Sequence, residues 1–348
     1  MALPLLLVPV ILKGAAIAAG AVGVGAGAVG AKKSYDATKD IKAINAMHQK
    51  NLDRFDRDSA QTQTTMDQLG KLELEVIQSF ETFSNLMEQI QNAPEFAAYN
   101  KHDIDLPAYN PEELKKVYAM AGTLLSGLGG AALGTAGGFA AAGATTAIVT
   151  AIGTASTGTA ISTLSGVALT NATLAFLGGG ALAAGGGGMV AGAAALSAAT
   201  LGAGVLVGGV VFAFASKSLS NKAEEASQQM QAAQKEIDDI CVYFNRLDIA
   251  AASYKAVMER VQAMYQKHLT TLEYQVNSAK RMDWNEFTDA EKMLLENTVL
   301  LVSLLYKMCQ IPVLLAPEKE GSPAIINSVD LNTSEENARV LLRSIENS

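Results

Sequence analysis

One hundred consecutive residues, 117–216, contain no Asp, Glu, Lys, Arg or His. A helix with one face in water needs polar positions on that face, and 18 or more uncharged apolar residues are typical of a membrane span. At about 20 residues per crossing, the block is long enough for roughly four helical passes. We therefore predict that 117–216 is a membrane-insertion region, with 119–215 as its inserting part. The alternative is a buried core of small residues in a water-soluble protein.

Glycine is concentrated in this block, which contains 23 of the 31 glycines in the chain. Many small residues recur at every fourth position, a spacing that lets helix backbones approach closely and favours helix association in lipid. We predict helix-packing and membrane-insertion positions at Gly122, Ser126, Gly130, Gly134, Gly138, Gly180, Gly188, Gly192, Gly204 and Gly208, and at Gly23 and Gly27 near the N-terminus.

The small side chains of the block also limit its preference for lipid. Gly, Ala, Ser and Thr are driven into lipid less strongly than Leu, Ile or Phe. Each glycine in a helix also costs about 1 kcal/mol relative to alanine. We therefore expect a region that is first shielded inside a helical bundle and inserts later. For the threonine- and valine-rich residues 145–170, a β-hairpin is an alternative.

Residues 1–33 form a second apolar segment, in which 14–31 carry no charge. Its first twelve residues lack the basic start of a secretory signal, so we expect no cleavable signal peptide. The uncharged part, 14–31, is either a short membrane span or an arm packed in the core of the protein. Lys32 and Lys33 follow residue 31 and favour the cytoplasmic side for that end.

Two long helices with ordinary polarity are predicted on either side of the block. Residues 217–280 form a long heptad helix in which apolar residues recur with 4-3 spacing, and 34–92 form a long amphipathic helix. The polar residues Asp56–Thr65 are expected to mark a bend or an exposed stretch. The predicted seam positions are Met66, Leu69, Glu73, Val76, Phe80, Phe83, Met87 and Ile90, followed by Leu219, Ala223, Ala226, Met230, Ala233, Ile237, Ile240, Phe244, Leu247, Ala251, Tyr254, Met258, Val261, Tyr265, His268, Leu272 and Gln275.

Residues 93–116 are predicted to be a loop followed by the start of a helix. The Pro, Asn and Asp content of 92–111 is typical of a loop. Pro111 followed by Glu112 and Glu113 is typical of a helix start, with proline in the first position and acids in the first turn. This helix continues directly into the uncharged block.

Residues 281–348 are predicted to contain C-terminal helices and a tail. Thr288 and Glu291 have the spacing of a capping box, and the helix that they start is expected to run through Ile311. The run 298–306 is too short to span a bilayer and is expected to face the core of the bundle. A linker at 312–323 precedes a last helix, for which Thr333 and Glu336 are the predicted cap.

No catalytic, cofactor-binding or metal-binding motif is present in the sequence. Gly25–Gly30 matches the GxGxxG pattern, but no βαβ unit follows it. The three histidines are far apart in sequence. His48 and His268 lie on or near apolar seams, where core packing is favoured over pH sensing or metal binding. The net charge of −8 argues against a nucleic-acid partner. We expect a protein that is not an enzyme and holds no cofactor.

Charged helices at 34–92 and 217–280 around a Gly/Ala-rich insert resemble the α-helical pore-forming toxins of the cytolysin A and haemolysin BL type. The glycine spacing is also similar to that of apolipoprotein L-like channel formers. The resemblance implies an all-α fold: long bundled or coiled-coil arms around a hydrophobic, membrane-insertable helical region. It also implies that a soluble bundle rearranges and oligomerises in a bilayer.

These expectations lead to a function and to two alternatives. The favoured function is a membrane-associated pore-forming or membrane-perturbing effector that converts from a shielded bundle to a homo-oligomer in the bilayer. The first alternative is a non-lytic membrane-anchored scaffold that recruits a protein partner through helices 34–92 and 217–280. The second is an integral membrane protein or a translocator component of a secretion apparatus.

Overall fold

Two long helices dominate the computed structural model, which describes residues 28–101, 104–125, 219–315 and 325–347. Helix α1 runs from Ala28 to Met87, and helix α3 runs from Leu219 to Glu273 and ends in a π-helical turn, Tyr274–Ser278. Each predicted arm is therefore one continuous helix over most of its range. The described residues are mostly helical, which confirms the all-α class.

Nearly all the predicted seam positions from Met66 to Ile90 and from Met230 to Gln275 are buried, while the side chains of Leu219, Ala223 and Ala226 lie outside the described residues. From Met230 to Gln275, every seam side chain is buried except those of Ile240 and His268, which are half-buried. From Met66 on α1 to Ile90, three residues beyond its end, Met87 alone is half-buried and the other seven positions are buried. These include the carboxyl-bearing side chain of Glu73. The 4-3 spacing thus identifies the buried face, because residues three and four apart share one side of a helix.

The described residues divide into two compact units. Unit 1 takes 28–62 and 219–246, and unit 2 takes 63–101, 104–125, 247–315 and 325–347. In unit 1, a small core joins α1 to α3: Phe55 packs on Phe244 with 5.6 Å between ring centroids, and Ile237 and Cys241 lie in the same cluster. An ion pair between Arg54 and Asp238 lies beside this core.

Unit 2 contains the remaining parts of α1 and α3 together with several shorter elements. A hairpin pairs β1, Tyr99–Lys101, with β2, Ile104–Leu106, and is followed by α2, Pro111–Leu125. After α3 come a 3₁₀ turn, Trp284–Glu286, and helix α4, Asp289–Gln310. A second hairpin pairs β3, Leu314–Leu315, with β4, Ile325–Ile326, before α5, Ser328–Glu346.

Helix α4 agrees with its prediction from sequence. The Thr288 hydroxyl accepts a hydrogen bond from the Glu291 amide, and the Glu291 carboxylate accepts one from the Thr288 amide, which makes a complete capping box. Most of 298–306 is buried, including Thr298, Val302 and Leu305. The apolar run 298–306 therefore lies in the buried part of α4, as expected for a helix that faces a core.

Three local predictions are wrong in whole or in part. The predicted loop at 92–111 contains the hairpin β1–β2, because Ile104 and Leu106 alternate with an exposed Asp105 and insert two apolar side chains into the core. The polar stretch Asp56–Thr65 makes no bend, because it is part of the uninterrupted α1, but most of its side chains are exposed or half-buried, as the alternative expected. Within it, Thr62 is buried with its hydroxyl bonded to the Phe244 carbonyl at 3.1 Å, and Thr65 is buried with its hydroxyl bonded to Asp248.

The third error concerns the start of the last helix. Helix α5 begins at Ser328, so Thr333 lies inside it rather than at its N-terminus. The Thr333 hydroxyl donates to the Val329 carbonyl at 2.8 Å, as is usual for threonine within a helix. The Asn327 side chain lies before the helix and donates to the Pro312 carbonyl and to Asp330, both at 3.1 Å.

Among the helices in the part of the chain that the structure describes, none is both long enough and apolar enough to cross a membrane.

Candidate functional site

Helix α2 is the described element that leads into the uncharged block. Residues 117–125 belong to both α2 and the block, and Gly122 is the predicted packing position that lies among them. The other eleven predicted packing positions lie outside the described residues. The contacts of α2 therefore show how the described start of the block, 117–125, is held in unit 2.

The first turn of α2 is capped by side chains. The Asn110 Oδ1 atom accepts a hydrogen bond from the Glu113 amide at 3.2 Å, and the Asn110 Nδ2 atom donates to the Glu113 carboxylate at 3.4 Å. Pro111 follows Asn110 as the first helical residue, where its missing N–H removes no helical hydrogen bond. Sequence reasoning predicted this helix start correctly, because its signals are local.

One face of α2 is buried in unit 2. The exposed fraction of the Leu114 side chain is 4%, and Val117 and Ala121 are fully buried. These residues are three and four apart, so they lie on one side of the helix. Burying a Leu or Val side chain contributes about 1.5–3 kcal/mol. Val117 and Ala121 are also members of the uncharged block, so the block begins inside the core of unit 2.

A polar contact ties the same turn of α2 to α4. The Tyr306 hydroxyl donates a hydrogen bond to the Glu113 carboxylate. Tyr306 is buried, and both burial and the neighbouring Glu113 carboxylate raise the pKa of its hydroxyl well above the usual range. The tyrosine therefore stays protonated and remains a donor at any physiological pH. Hydrogen bonds to charged groups contribute about 1.5–3 kcal/mol.

An ion pair on the outside of α2 adds a weaker link. The Lys115 Nζ atom lies 2.6 Å from the Glu88 carboxylate, at the end of α1, and 3.8 Å from Glu112. Hydrogen bonding to Glu88 raises the pKa of Lys115. Both side chains of the Lys115–Glu88 pair are exposed, and exposed pairs contribute little to stability. The Glu113–Tyr306 bond and the buried face are the stronger attachments.

Tyr306 belongs to one turn of α4, 306–309, in which four successive residues contact four different elements. Tyr306 bonds to α2, and Lys307 donates to the Asp105 carbonyl in β2. The Met308 carbonyl accepts a hydrogen bond from Tyr254 of α3, and the Cys309 Sγ atom lies 3.9 Å from the Glu73 carbonyl of α1. We call 306–309 the junction turn. It positions α2 relative to the core of unit 2.

Sequence reasoning did not identify the junction turn. It assigned Tyr306 to the core, but a polar contact such as Glu113–Tyr306 joins residues that are 193 positions apart. Helical periodicity reports on neighbours within a few turns and not on such distant partners. A signal that was available is the tyrosine itself, because a buried Tyr hydroxyl usually needs a hydrogen-bond partner.

The described residues favour no metal site. Among them, no group of three or more His, Cys, Asp and Glu side chains lies close enough together to hold a metal ion. Cys241 is buried in unit 1, where burial raises the pKa of its thiol above the usual range. A shallow groove beside it is lined by Arg54, Asp58, Asp238, Val242, Asn245 and Arg246, in addition to Cys241.

No known protein family matches this chain, and neither a curated protein nor a solved structure is similar to it. Its function is therefore argued from its own residues, above all from α2 and the uncharged block that α2 begins.

Proposed function

We propose that the protein is a membrane-inserting effector that forms pores in, or otherwise perturbs, a lipid bilayer. The membrane-insertion region is 117–216, with 119–215 as its inserting part. The helices 34–92 and 217–280 act as scaffold and as the surface through which copies of the chain form a homo-oligomer. The mechanism is physical and has no catalytic step: contact with lipid and close helix packing replace the shielding that a bundle provides in water.

The observation that carries this proposal is the position of the uncharged block. A stretch of 100 residues without charge begins in α2, ends just before α3, and is flanked by helices with ordinary polar faces. A protein that carries a membrane-insertable region on a water-compatible scaffold requires such a separation between an uncharged segment and polar helices.

The state of the arms supports the same proposal. The apolar seams of α1 and α3 are buried within the described helices, as are most of the large apolar residues of α4. The arms therefore have their own cores in units 1 and 2. A chain whose arms are stable in water can deliver a weakly hydrophobic block to a membrane from solution.

Leakage from liposomes tests the proposal directly. The full chain is purified without detergent and added to dye-loaded liposomes, and dye release and oligomer size are recorded. We expect a detergent-free species that releases dye and forms oligomers on the liposomes. A protein that stays inert would overturn the proposal. Binding without leakage would favour the membrane-anchored scaffold, and a requirement for detergent would favour an integral membrane or translocator component.

A pair of variants tests whether the small residues act by helix packing. Replacing Gly130, Gly134 and Gly138 by Leu fills the stripe of small residues and should abolish leakage. The matched control replaces Ala132, Ala136 and Ala140 by Leu, which adds the same side chains about 200° away around a helix. We expect the control to keep its leakage. Equal behaviour of the two variants would show that the spacing has no packing role. Circular dichroism verifies that the arms remain helical in both.

A further inference from the structure

We infer that the attachment of α2 to unit 2 restrains insertion, so that α2 must leave unit 2 before the whole block can enter a bilayer. We call this attachment the α2 anchor; it consists of the Glu113–Tyr306 hydrogen bond to α4 and of the side chains Leu114, Val117 and Ala121, which are buried in unit 2. This inference rests on the proposed function. It adds the conformational step that controls that function.

The first reason is that α2 and the block share residues. Val117 and Ala121 are members of the uncharged block, yet both are fully buried in unit 2. A residue cannot pack in the core of unit 2 and lie in a bilayer at the same time. Insertion of the block from its first residue therefore requires the withdrawal of Val117 and Ala121 from that core.

The second reason is that the polar contacts of the anchor converge on one carboxylate. Glu113 accepts hydrogen bonds from the Tyr306 hydroxyl of α4 and from the Asn110 amide, while its own amide is bonded to Asn110. The Asn110 side chain thus caps α2, and the Glu113 carboxylate joins this capped first turn to α4.

The third reason is that α4 cannot move with α2. The junction turn, 306–309, also contacts β2, α3 and α1 through Lys307, Met308 and Cys309. Withdrawal of α4 would break all the contacts of the junction turn, whereas withdrawal of α2 breaks only one of them, the Tyr306 contact. Of the two helices, α2 is therefore the one that separates.

The test compares two tyrosine variants in the full chain. Tyr306→Phe removes the hydroxyl that bonds to Glu113, and Tyr254→Phe removes a buried hydroxyl that bonds to the same turn of α4 but not to α2. We expect Tyr306→Phe to raise the initial rate of liposome leakage about tenfold, the effect of about 1.4 kcal/mol on an equilibrium. Tyr254→Phe should raise it much less. Equal rates in both variants, or an unchanged rate in Tyr306→Phe, would overturn the inference.

A lipid-free measurement separates this inference from the proposed function. Val117→Cys places a thiol at a fully buried position of α2, and its rate of reaction with a maleimide reports how often α2 leaves unit 2. The two native cysteines are both buried and provide the background rate when the parent chain is labelled. We expect the added Tyr306→Phe substitution to speed labelling about tenfold and the added Tyr254→Phe substitution to speed it less.

The two measurements fail in different ways. If the parent chain never releases dye, the proposed function is wrong, while labelling still shows whether Tyr306 holds α2. If the parent chain releases dye but Tyr306→Phe changes neither labelling nor leakage, the inference is wrong and the proposed function stands. If labelling accelerates and leakage does not, release of α2 is not the step that limits insertion, which also overturns the inference.

Discussion

The Tyr254 hydroxyl of α3 donates a hydrogen bond to the Met308 carbonyl of α4, with 2.9 Å between the two oxygen atoms. Met308 lies in the last turn of α4, and its carbonyl also accepts a hydrogen bond from the Ile311 amide at 3.2 Å. The same hydroxyl lies 3.2 Å from the Ser334 hydroxyl of α5. One side chain of the α3 seam therefore joins three helices of unit 2.

Replacing Tyr254 by Phe should destabilise unit 2. The ring stays in the core, but the Met308 carbonyl keeps only the Ile311 amide as a donor and the Ser334 hydroxyl loses a partner. Loss of a typical hydrogen bond costs about 0.5–1.5 kcal/mol. Denaturant unfolding measures the loss. Tyr274→Phe is the matched control, because the Tyr274 side chain is 67% exposed, and it should leave the free energy of unfolding unchanged. A Tyr254→Phe variant as stable as the parent would refute this role for the hydroxyl.

Replacing Phe244 by Ala should destabilise unit 1. Phe244 is fully buried against Phe55, and truncation of a buried Phe costs about 3–5 kcal/mol. Hydrogen exchange of amides in 28–62 and 219–246 reports the change. Val242→Ala, two residues away and 50% exposed, should stay within about 0.5 kcal/mol of the parent. Similar losses in the two variants would show that the Phe55–Phe244 packing is not the main source of stability there.

The capping box of α4 provides a third test. Thr288→Ala removes the acceptor for the Glu291 amide and should cost about 1 kcal/mol of stability. Thr333→Ala makes the same substitution inside α5, where alanine is the better helix former, so no loss is expected. Thermal unfolding distinguishes the two. A greater loss of stability in Thr333→Ala than in Thr288→Ala would contradict this prediction.

His268 should make the fold less stable in acid. Burial is the main cause that lowers its pKa below 6.5, Lys267 lowers it further, and a backbone hydrogen bond involving Leu294 opposes both. The folded state therefore favours the neutral ring. As the pH falls from about 6.5 through the folded pKa, the unfolded chain binds a proton more readily and stability is lost.

Proton NMR and unfolding measurements at several pH values test this behaviour. We expect an imidazole pKa below 6.5 in the folded chain and a smaller acid-induced loss of stability in His268→Gln. His48 in unit 1, whose pKa is also lowered by burial, supplies a second contribution that His268→Gln leaves in place. A His268 pKa at or above 6.5 would contradict the prediction.

Much of the helical framework could be predicted because its signals are local. The seam positions from Met230 to Gln275 and the Thr288 capping box depend on residues within a few turns of one another. Thr62 and Thr65 could not be placed in the same way. Their hydroxyls bond to the Phe244 carbonyl and the Asp248 carboxylate, about 180 residues away, and these partners allow two polar side chains to be buried.

The β1–β2 hairpin and the start of α5 also could not be predicted from local sequence signals. Ile104 and Leu106 are buried in unit 2, although the proline, asparagine and aspartate residues around them predict a loop. Thr333 and Glu336 have capping-box spacing, but α5 begins earlier, at Ser328. Local preferences are weak, and packing against the rest of the protein overrides them.

The sequence by itself determined the all-α class, the buried faces of α1 and α3, and the boundaries of the uncharged block, since residue type and spacing along one chain are sufficient for each. Only the tertiary structure decided that the block begins inside unit 2, with Val117 and Ala121 in its core and Glu113 held by Tyr306. The physical reason is distance along the chain. Periodicity identifies which side of a helix is apolar, but the partner that covers that side is chosen by the packing of the whole unit.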